Sequence, residues 1–206
     1  EEILRVYGYN KIQFKSKLNA SVSKSSRFAD HKIQQVTGNL LASLGFNEIL
    51  NNSLTTPVYA SLNDAFKEDY NVTMLNPLST DLSVMRQSLL FSGLEVVAFN
   101  SNRRQPDLKL FEFGKSYHNF PGGREEHKHL TLLLSGKQNA ENWFQQQQNT
   151  TFFNLKGNVE AVLSRLGIAQ WKVKPLKDAQ FSEGLEYSVQ KKQVVSFGLV
   201  SKAIRN

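Results

Sequence analysis

The sequence predicts an α+β fold in which helices flank a mixed, mainly antiparallel sheet. Two segments repeat apolar residues at helical spacing, and glycines stop both of them, at Gly45 and Gly167. Other segments read as strands and are broken by turn residues such as Pro121-Gly122-Gly123. A long helix followed by an antiparallel sheet with helices on it is typical of α+β domains.

The first long helix carries a wide apolar stripe. Ser25 or Ser26 can cap its first turn, because a serine side chain accepts a hydrogen bond from a free backbone N–H. Five apolar side chains then recur every three or four residues and two more widen the stripe: Ala29, Ile33, Val36, Leu40 and Leu44, with Phe28 and Leu41 beside them.

The remaining elements follow from local signals. Gly8 closes a helix at the start of the chain, and the polar stretch 10–24 reads as a linker. A short helix is expected from Thr56, because Pro57 is tolerated at the first helical position. Further helices are predicted at 88–100, around Trp143 and at 155–166, a turn at 118–123, a mobile Gln-rich loop at 144–151, and strands at 46–54, 71–75, 108–117, 128–135, 168–175, 183–189 and 194–199.

Length and composition exclude several classes of protein. The 206 residues are 40% hydrophobic and 21% charged, so a packed core is expected and wholesale disorder is not. No apolar run approaches the ~20 residues of a membrane span. The absence of cysteine excludes disulfides, thiolate metal sites and cysteine nucleophiles, and it fits a reducing cytoplasm. Without an initial methionine or a signal peptide, the chain is expected to be a piece of a longer polypeptide.

The net charge of +7 is concentrated at the two ends of the chain. Residues 1–50 carry seven Lys/Arg against four Asp/Glu, and residues 170–206 carry seven against three. The middle of the chain is balanced, with eleven of each. Such an excess favours contact with RNA or an acidic partner, although a diffuse excess of this size is also common on soluble domains.

Several ordered blocks resemble the beta subunit of bacterial phenylalanyl-tRNA synthetase, within the class II aminoacyl-tRNA synthetases. The opening EEILRVYGYNKI is similar to the helix that ends the domain before the synthetase-like core of that subunit. Gly45–Ile49 looks like motif 1. The blocks that look like motif 2 are Asn76–Arg86, Asn100–Arg103 and Leu110–Gly114. Trp143 with FFNLKG at 152–157 is similar to a later signature of the subunit. The resemblance therefore rests on the order of the blocks along nearly the whole chain.

The motif 1 resemblance implies a docking surface. A motif 1 helix with the strand after it can pair with a like element across a two-fold or pseudo-two-fold axis. In this family that implies docking on the catalytic alpha subunit in an (alpha beta)2 complex, through the stripe Phe28, Ile33, Val36, Leu40 and Leu44. The alternative is that the stripe packs inside its own domain, which is the commoner use of an apolar helix face.

The motif 2 resemblance marks where the chemistry of an active enzyme would lie. An arginine and nearby charged groups on two antiparallel strands there hold ATP and the amino-acid carboxylate, because a guanidinium binds oxyanions at two points. The matching candidates are Arg86, Arg103, Arg104 and Glu112. Gln105–Asp107 is too short for a loop over ATP, so Arg103 and Arg104 are interpreted as solvated turn charges. Glu112 is expected to be a partly buried acid paired with an arginine such as Arg86 or Arg103.

The motif 3 region decides whether an ATP site is expected. Active class II enzymes have a glycine-rich strand-to-helix turn that ends in an arginine on the ATP triphosphate. The matching place is Val194–Asn206, where Gly198 is the only glycine and Arg205 does not fit the pattern. The resemblance thus implies a synthetase fold without an ATP site, and no catalytic or cofactor-binding residue is assigned to the segment.

Two metal sites come into consideration. By resemblance, Glu1 and Glu2 match paired glutamates of a magnesium site shared with the alpha subunit, and carboxylate oxygens suit Mg2+. In this segment alone the two are expected to be a solvated helix end. His127 and His129 share a strand face and could bind a transition metal with Glu125, although an exposed strand end is the simpler interpretation.

These observations predict the end of a preceding domain and a linker at residues 1–24. Residues 25–206 are predicted to be a catalytically degenerate synthetase-like core, part of which continues beyond the C-terminus of the chain. The resemblance implies a cytoplasmic ligase that joins phenylalanine to its tRNA with ATP and Mg2+, in which this segment is structural. Two alternatives stay open, a stand-alone RNA-binding module and an active class II ligase.

Overall fold

The computed structural model describes residues 1–12, 17, 21, 30–62, 66–139 and 141–205. The helices are α1 Glu2–Tyr7, α2 Asp30–Ser43, α3 Leu90–Ser101, α4 Phe152–Arg165 and α5 Lys202–Arg205. The strands are β1 Asn47–Glu48, β2 Leu54–Thr55, β3 Val72–Thr73, β4 Val84–Met85, β5 Leu108–Phe120, β6 Gly123–Ser135, β7 Lys172–Pro175, β8 Phe181–Val189 and β9 Lys192–Val200. Within these residues no helix has the length and apolar character that a bilayer span requires.

The hairpin of β5 and β6 is the centre of the fold. The two strands pair antiparallel along their whole length, and β1 joins the other edge of β5 in parallel. Side chains alternate between the two faces of a strand, so neighbouring residues enter different cores. Phe111 packs in a cluster with Leu41 of α2 and Val162 of α4, whereas Leu110 packs with Leu90 of α3. The hairpin therefore has helices on both faces.

A second sheet, in the order β7-β8-β9, packs against α4. Val159 and Leu163 of α4 form a buried cluster with Tyr187 and Phe197 of this sheet. The third residue of the same helix stripe, Val162, belongs to the cluster over the central hairpin. Helix α4 thus lies between two apolar surfaces, as its wide stripe predicts.

A third, small sheet in the order β2-β4-β3 lies next to the central hairpin. Its middle strand, β4, leads directly into Arg86. The backbone N–H of Arg86 donates to Ser53 O and its carbonyl accepts from Tyr117 N–H, both at 2.9 Å. The first bond lies within the small sheet, beside β2, and the second ties this sheet to β5, so the Arg86 side chain lies beside the hairpin.

Most of the predicted elements are confirmed. Gly45 and Gly167 follow α2 and α4 in the left-handed region, with φ of 84° and 77°, which only glycine adopts without strain. Thr56 Oγ1 accepts a hydrogen bond from Val58 N–H at the start of the short helix at Pro57–Ser61. The predicted start of the first long helix, with Ser25, Ser26, Phe28 and Ala29, lies outside the described residues.

Three local predictions are wrong. The predicted strand 46–54 is two short strands, β1 and β2, because Asn51 between them turns toward Glu112 and hydrogen-bonds to it. The predicted turn 118–123 is mostly strand, since Pro121 and Gly122 alone connect Phe120 to its pairing partner Gly123. The chain bends around Trp143 and does not form the predicted helix.

Candidate functional site

Arg86 and Glu112 form a buried ion pair beside the central hairpin. Arg86 Nη1 lies 2.8 Å from Glu112 Oε1, and the side chains are 4% and 1% exposed. The pair predicted between Glu112 and an arginine is thus confirmed, with Arg86 as the partner. A buried pair of this kind persists only when its remaining hydrogen-bonding groups are also satisfied.

Further hydrogen bonds complete the surroundings of this pair. Asn51 donates to both carboxylate oxygens of Glu112, from its backbone N at 3.3 Å and from its side-chain Nδ2 at 2.8 Å. Arg86 Nε donates to Lys115 O at 3.0 Å, and Nη1 lies 3.5 Å from Ser92 Oγ. The charges of the two side chains are therefore used inside the protein and do not point to an open cleft.

Gly114 gives the Arg86 side chain its space. A Cβ at this position would lie 2.5 Å from Leu89 Cδ2 and even closer to Arg86 Nη2. The backbone of Gly114 lies on the same face of β5 as Glu112, two residues away. A glycine is required here for packing against the guanidinium, which is a reason for its identity independent of any ligand.

The cavity beside Arg86 is small. It is lined by Tyr59, Phe66, Gln87 and Phe91 among others and encloses about 20 Å³. That volume is enough for about one water molecule, whereas sites for small-molecule ligands usually enclose roughly 300–1,000 Å³. Two rings close the wall of the cavity, because Tyr59 stacks on Phe91 with centroids 4.5 Å apart.

Arg103 and Arg104 lie in an exposed turn after α3. The Arg103 guanidinium lies 3.3 Å from the centre of the Phe99 ring, and its Nη1 donates to Phe99 O at 3.0 Å. Arg104 has a positive φ of 63°, as a turn residue after a helix often does. Both arginines are placed as turn residues on the surface of the chain, and the structure does not bring them to the Arg86–Glu112 pair.

In the motif 2 resemblance, the loop that would cover ATP joins two antiparallel strands, which in this fold are β5 and β6. Gln105–Asp107 joins a helix to a strand, so its length says nothing about a loop between two antiparallel strands. The antiparallel pair itself is joined by Pro121 and Gly122 alone. Gln105–Asp107 is therefore not the loop between the two motif 2 strands, and the observed hairpin turn is shorter still.

Three histidines, His118, His127 and His129, lie on the same hairpin face as Glu112, nearer the turn. Only His127 and His129 were grouped from the sequence. Ser116 Oγ lies 2.8 Å from His129 Nε2, and the ring centre of His127 lies 5.8 Å from that of His118. The pairing of Ser116 with His127 and of His118 with Glu125 brings these groups together. The signal was present in the alternation of the two strands, but reading it requires the register of the hairpin.

Desolvation lowers the pKa of His118, ahead of repulsion from His127, while Glu125 acts in the opposite direction. Desolvation likewise lowers the pKa of His129, followed by repulsion from His127, His118 and Arg86. His127 pairs with Glu125 at 3.2 Å. Within the described ranges, no group of three or more His, Cys, Asp or Glu side chains could hold a metal ion.

Gly198, assigned to the motif 3 region, lies in the middle of β9. It pairs with Gly184 of β8, and a Cβ at Gly198 would lie 2.9 Å from Gly184 Cα and closer to Glu183 O. The glycine therefore permits the close approach of two strands. Helix α5 follows after Ser201, and the strand-to-helix order of this region is present.

The residues assigned to docking by resemblance divide into two groups. Leu40 and Leu44 pack against the core formed by Leu41, Phe111 and Val162 of the chain itself. Ile33 is 40% exposed and Val36 is half-buried, whereas Phe28 lies outside the described residues. The end of the stripe near Leu44 thus belongs to the fold, and the end near Ile33 is open.

Glu1 and Glu2 are exposed at the start of α1. The Arg5 guanidinium lies 4.0 Å from Glu1 Oε1 and 3.4 Å from Glu2 Oε2. None of the residues of α1 is buried. Two exposed carboxylates on one short helix could supply two oxygen ligands to Mg2+, which is fewer than a complete site needs.

The fold is that of the class II tRNA synthetases. A pyrrolysyl tRNA synthetase of Desulfitobacterium hafniense superposes with a TM-score of 0.59 over 81% of this chain and 55% of that chain, at 14% sequence identity. A second crystal structure of the enzyme from that organism gives 0.58 over 81% and 57%, at 12% identity. Because both identities are low, this likeness concerns the fold alone.

The chain belongs to the phenylalanyl-tRNA synthetase beta chain family. The model of the phenylalanyl tRNA synthetase beta chain CLM domain matches residues 15–206. The phenylalanine–tRNA ligase beta subunit of Bacteroides thetaiotaomicron is 39% identical over 99% of this chain, and that of Porphyromonas gingivalis is 34% identical over 98%. The match covers 26% of each relative, so the chain spans about a quarter of their length.

Proposed function

We propose that this chain is the non-catalytic, synthetase-like core of a phenylalanine–tRNA ligase beta subunit. It docks the catalytic alpha subunit in an (alpha beta)2 complex, which joins phenylalanine to its tRNA in the cytoplasm with ATP and Mg2+. The observation that carries the non-catalytic role is the closed Arg86–Glu112 pair, in which the candidate arginine is held by protein groups and lies 4% exposed. Membership of the beta chain family supports the partnership with an alpha subunit.

The electrostatics of the pair support this role. An arginine that binds a triphosphate has its guanidinium exposed to solvent or ligand and donates hydrogen bonds to the negatively charged phosphate oxygens. Arg86 already donates to Glu112 and to Lys115 O. To bind ATP it would have to leave Glu112 as an uncompensated buried charge, which costs about 3–5 kcal/mol. A stable scaffold is therefore the better use of this arrangement.

The magnesium proposal concerns Glu1 and Glu2. We infer that both carboxylates exchange Arg5 for Mg2+ when the alpha subunit supplies the other side of the site. Their exposure and the weak pairing at 3.4–4.0 Å make this exchange inexpensive. Mg2+ titration of the assembled complex with Glu1→Gln/Glu2→Gln should then show one lost tight site relative to wild type, and an unchanged number of sites would contradict it.

Calorimetry tests the non-catalytic role. Titration of ATP–Mg2+ into the full-length beta subunit without its partner should give no binding heat, whereas the assembled complex should give a clear binding isotherm. Stoichiometric ATP binding by the beta subunit alone would favour the alternative of an active class II ligase.

Two substitutions on α2 test the docking role. Ile33 is exposed, so Ile33→Asp should weaken association with the alpha subunit and leave the beta subunit folded. Leu40 packs on the domain core, so Leu40→Asp should lower the melting temperature of the beta subunit itself. Unchanged association in Ile33→Asp would remove this helix from the interface.

The excess of Lys and Arg in 170–206 favours one alternative function, that of an RNA-binding module that acts without the alpha subunit. This alternative predicts tRNA binding by the free beta subunit that weakens steeply with salt, because phosphate contacts release counterions. A titration at low salt without tRNA binding would count against it.

A further inference from the structure

A groove of about 400 Å³ lies between the end of α2 and the first half of α4. This volume is within the usual range for a site that takes a ligand or a side chain of a partner. Its walls combine aliphatic and aromatic groups with amides: Leu44, Leu134, Phe153, Gln138, Asn139, Asn154 and Asn158. Among the described residues that line it, Lys109 alone carries a charge. The groove is separate from the Arg86–Glu112 pair.

Phe153 at this groove and two aromatic residues of the loop that joins Gln138 to Thr150 are unusually exposed. Phe153, at its edge, is 75% exposed, and Trp143 and Phe144 are 96% and 71% exposed. The loop that carries Trp143 begins and ends at the groove, because both Gln138 and Thr150 line it. Large aromatic side chains contribute most when they are buried, so their joint exposure indicates a surface that is covered in the working protein.

The neighbour of Phe153 shows that this exposure is specific. Phe152 turns inward and stacks on Phe197, with ring centres 5.3 Å apart. The ring of Phe153, one residue later, contacts the Phe152 ring edge to face, with ring centres 5.9 Å apart. The first turn of α4 therefore holds one phenylalanine in the domain core and presents the other outward.

Three side-chain amides of the groove each form hydrogen bonds through only one of their two polar atoms. Asn154 Oδ1 accepts from Thr151, while its Nδ2 has no partner within the part of the chain that the structure describes. Asn158 Nδ2 donates to Asn154 O at 2.7 Å and Gln138 Nε2 donates to Asn149 O at 3.0 Å, which leaves their oxygens free among the same residues. One free donor and two free acceptors match the alternating groups of a peptide main chain.

The charge of this surface distinguishes a protein partner from a nucleic acid. Residues 138–155 contain one charged side chain, Glu141, alongside nine Asn and Gln. A surface that binds phosphates needs several Lys or Arg, and the excess of these residues lies at 170–206 instead. A centre that is rich in aromatic groups and poor in charge is typical of a protein–protein interface.

We propose that the groove with Phe153, together with Trp143 and Phe144 of the adjoining loop, forms an aromatic–amide face that binds an uncharged segment of the alpha subunit. One apolar side chain of that segment enters the groove between Leu44 and Phe153, and its main chain bonds to the free amide groups. This inference rests on the proposed function. Leu44 directly follows α2, so the face lies at the end of the same helix whose exposed Ile33 is proposed to dock the alpha subunit.

Affinity measurements on full-length beta subunits test the proposal. Trp143→Ala and Phe153→Ala should each weaken binding to the immobilised alpha subunit at least tenfold, because exposed aromatic anchors carry much of an interface's binding energy. The matched control is Phe99→Ala, which removes another exposed phenylalanine, 55% exposed on α3, and should stay within twofold of wild type. Melting temperatures should stay unchanged in all three.

A filled groove gives an independent test. Gly157 lines the groove, and a Cβ there would meet nothing within 4 Å. Gly157→Trp should therefore fold normally and still weaken alpha-subunit binding at least tenfold by occupying the site. Gly157→Ala is its control and should bind within twofold of wild type.

The outcomes separate the proposals. If wild-type beta subunit does not bind the alpha subunit, the proposed function and this inference both fail. If it binds and Trp143→Ala, Phe153→Ala and Gly157→Trp bind within twofold of it, this inference alone is overturned. Loss of affinity for a single-stranded RNA in these variants, with alpha-subunit binding retained, would also overturn it and assign the face to RNA.

Discussion

The two faces of the β5–β6 hairpin differ in how they are held. On one face, Phe111 and its neighbours pack against α2 and α4 in an apolar cluster. The other face also has an apolar cluster at Leu110, but two residues further along β5 the buried Glu112 is held by Arg86 and Asn51. Apolar packing tolerates exchange between side chains of similar volume, whereas a buried ion pair depends on both members being present. The face that carries the candidate arginine is therefore the more sensitive of the two to substitution.

The largest effect is expected from Glu112→Gln. The substitution keeps the shape of the side chain but leaves Arg86 as an uncompensated buried charge, so the free energy of unfolding should fall by about 3–5 kcal/mol. Urea denaturation of the beta subunit measures this loss. The control is Glu126→Gln, which breaks the half-exposed pair with Lys115 and should cause no measurable loss. An equal loss in the two variants would contradict the comparison.

Gly114→Ala tests the space around Arg86. The added methyl group would press on Arg86 and on Leu89, so a loss of about 1–3 kcal/mol in the free energy of unfolding is expected. Gly157→Ala on α4, where a Cβ has open space, should instead stabilise the protein by up to about 1 kcal/mol. Both values come from denaturant melts, and a stable Gly114→Ala variant would show that the guanidinium can move.

A smaller effect is expected on the apolar face. Phe111 is 2% exposed, but Phe111→Leu exchanges one apolar side chain for another, so the cost should stay near 1–2 kcal/mol. The same denaturation experiment applies. If Phe111→Leu cost more than Glu112→Gln, the ranking of the two faces would be reversed.

The smallest effect is a pH dependence from the outer half of the polar face. The pKa values of His118 and His129 are lowered by partial burial, so both bind protons less readily in the folded chain than in the unfolded chain. Stability should therefore be constant above about pH 7 and fall as the pH drops through the ordinary histidine pKa of about 6.5. The urea midpoint at pH 7.5 and at pH 5.5 measures the loss, and His118→Gln/His129→Gln should reduce it. An identical loss in this variant would assign the effect to other groups.

Local sequence patterns predicted most of the fold. The stripes of α2 and α4 and the glycines that end them act within a few residues, so they can be recognised without the rest of the chain. The helix predicted around Trp143 was wrong because the ends of its loop bond to each other, as from Gln138 N to Gln148 O, and Gln145 N–H donates to the Asn142 side chain. Such a competition between local and more distant partners is not visible in a short window of sequence.

The candidate site was predictable only in part. The motif resemblance selected Arg86 and Glu112 together with Arg103 and Arg104, and it could not say which arginine meets the carboxylate. The contact with Asn51 went unnoticed, because Asn51 is 61 residues away from Glu112 along the chain. The histidine cluster was also incomplete, since His118 joins His127 only through the register of the hairpin.

By itself, the sequence determined the α+β class, the principal helices and strands, and the likeness to a tRNA synthetase beta subunit, because these depend on periodicity and on short ordered motifs. Only the tertiary structure decided that Arg86 is closed by Glu112, that Phe152 turns inward while Phe153 remains exposed, and that Leu44 borders an open groove. These facts depend on which surfaces meet across long distances in the chain. Burial and ion pairing depend on both contacting surfaces, so they cannot be read from one residue or its sequence neighbours.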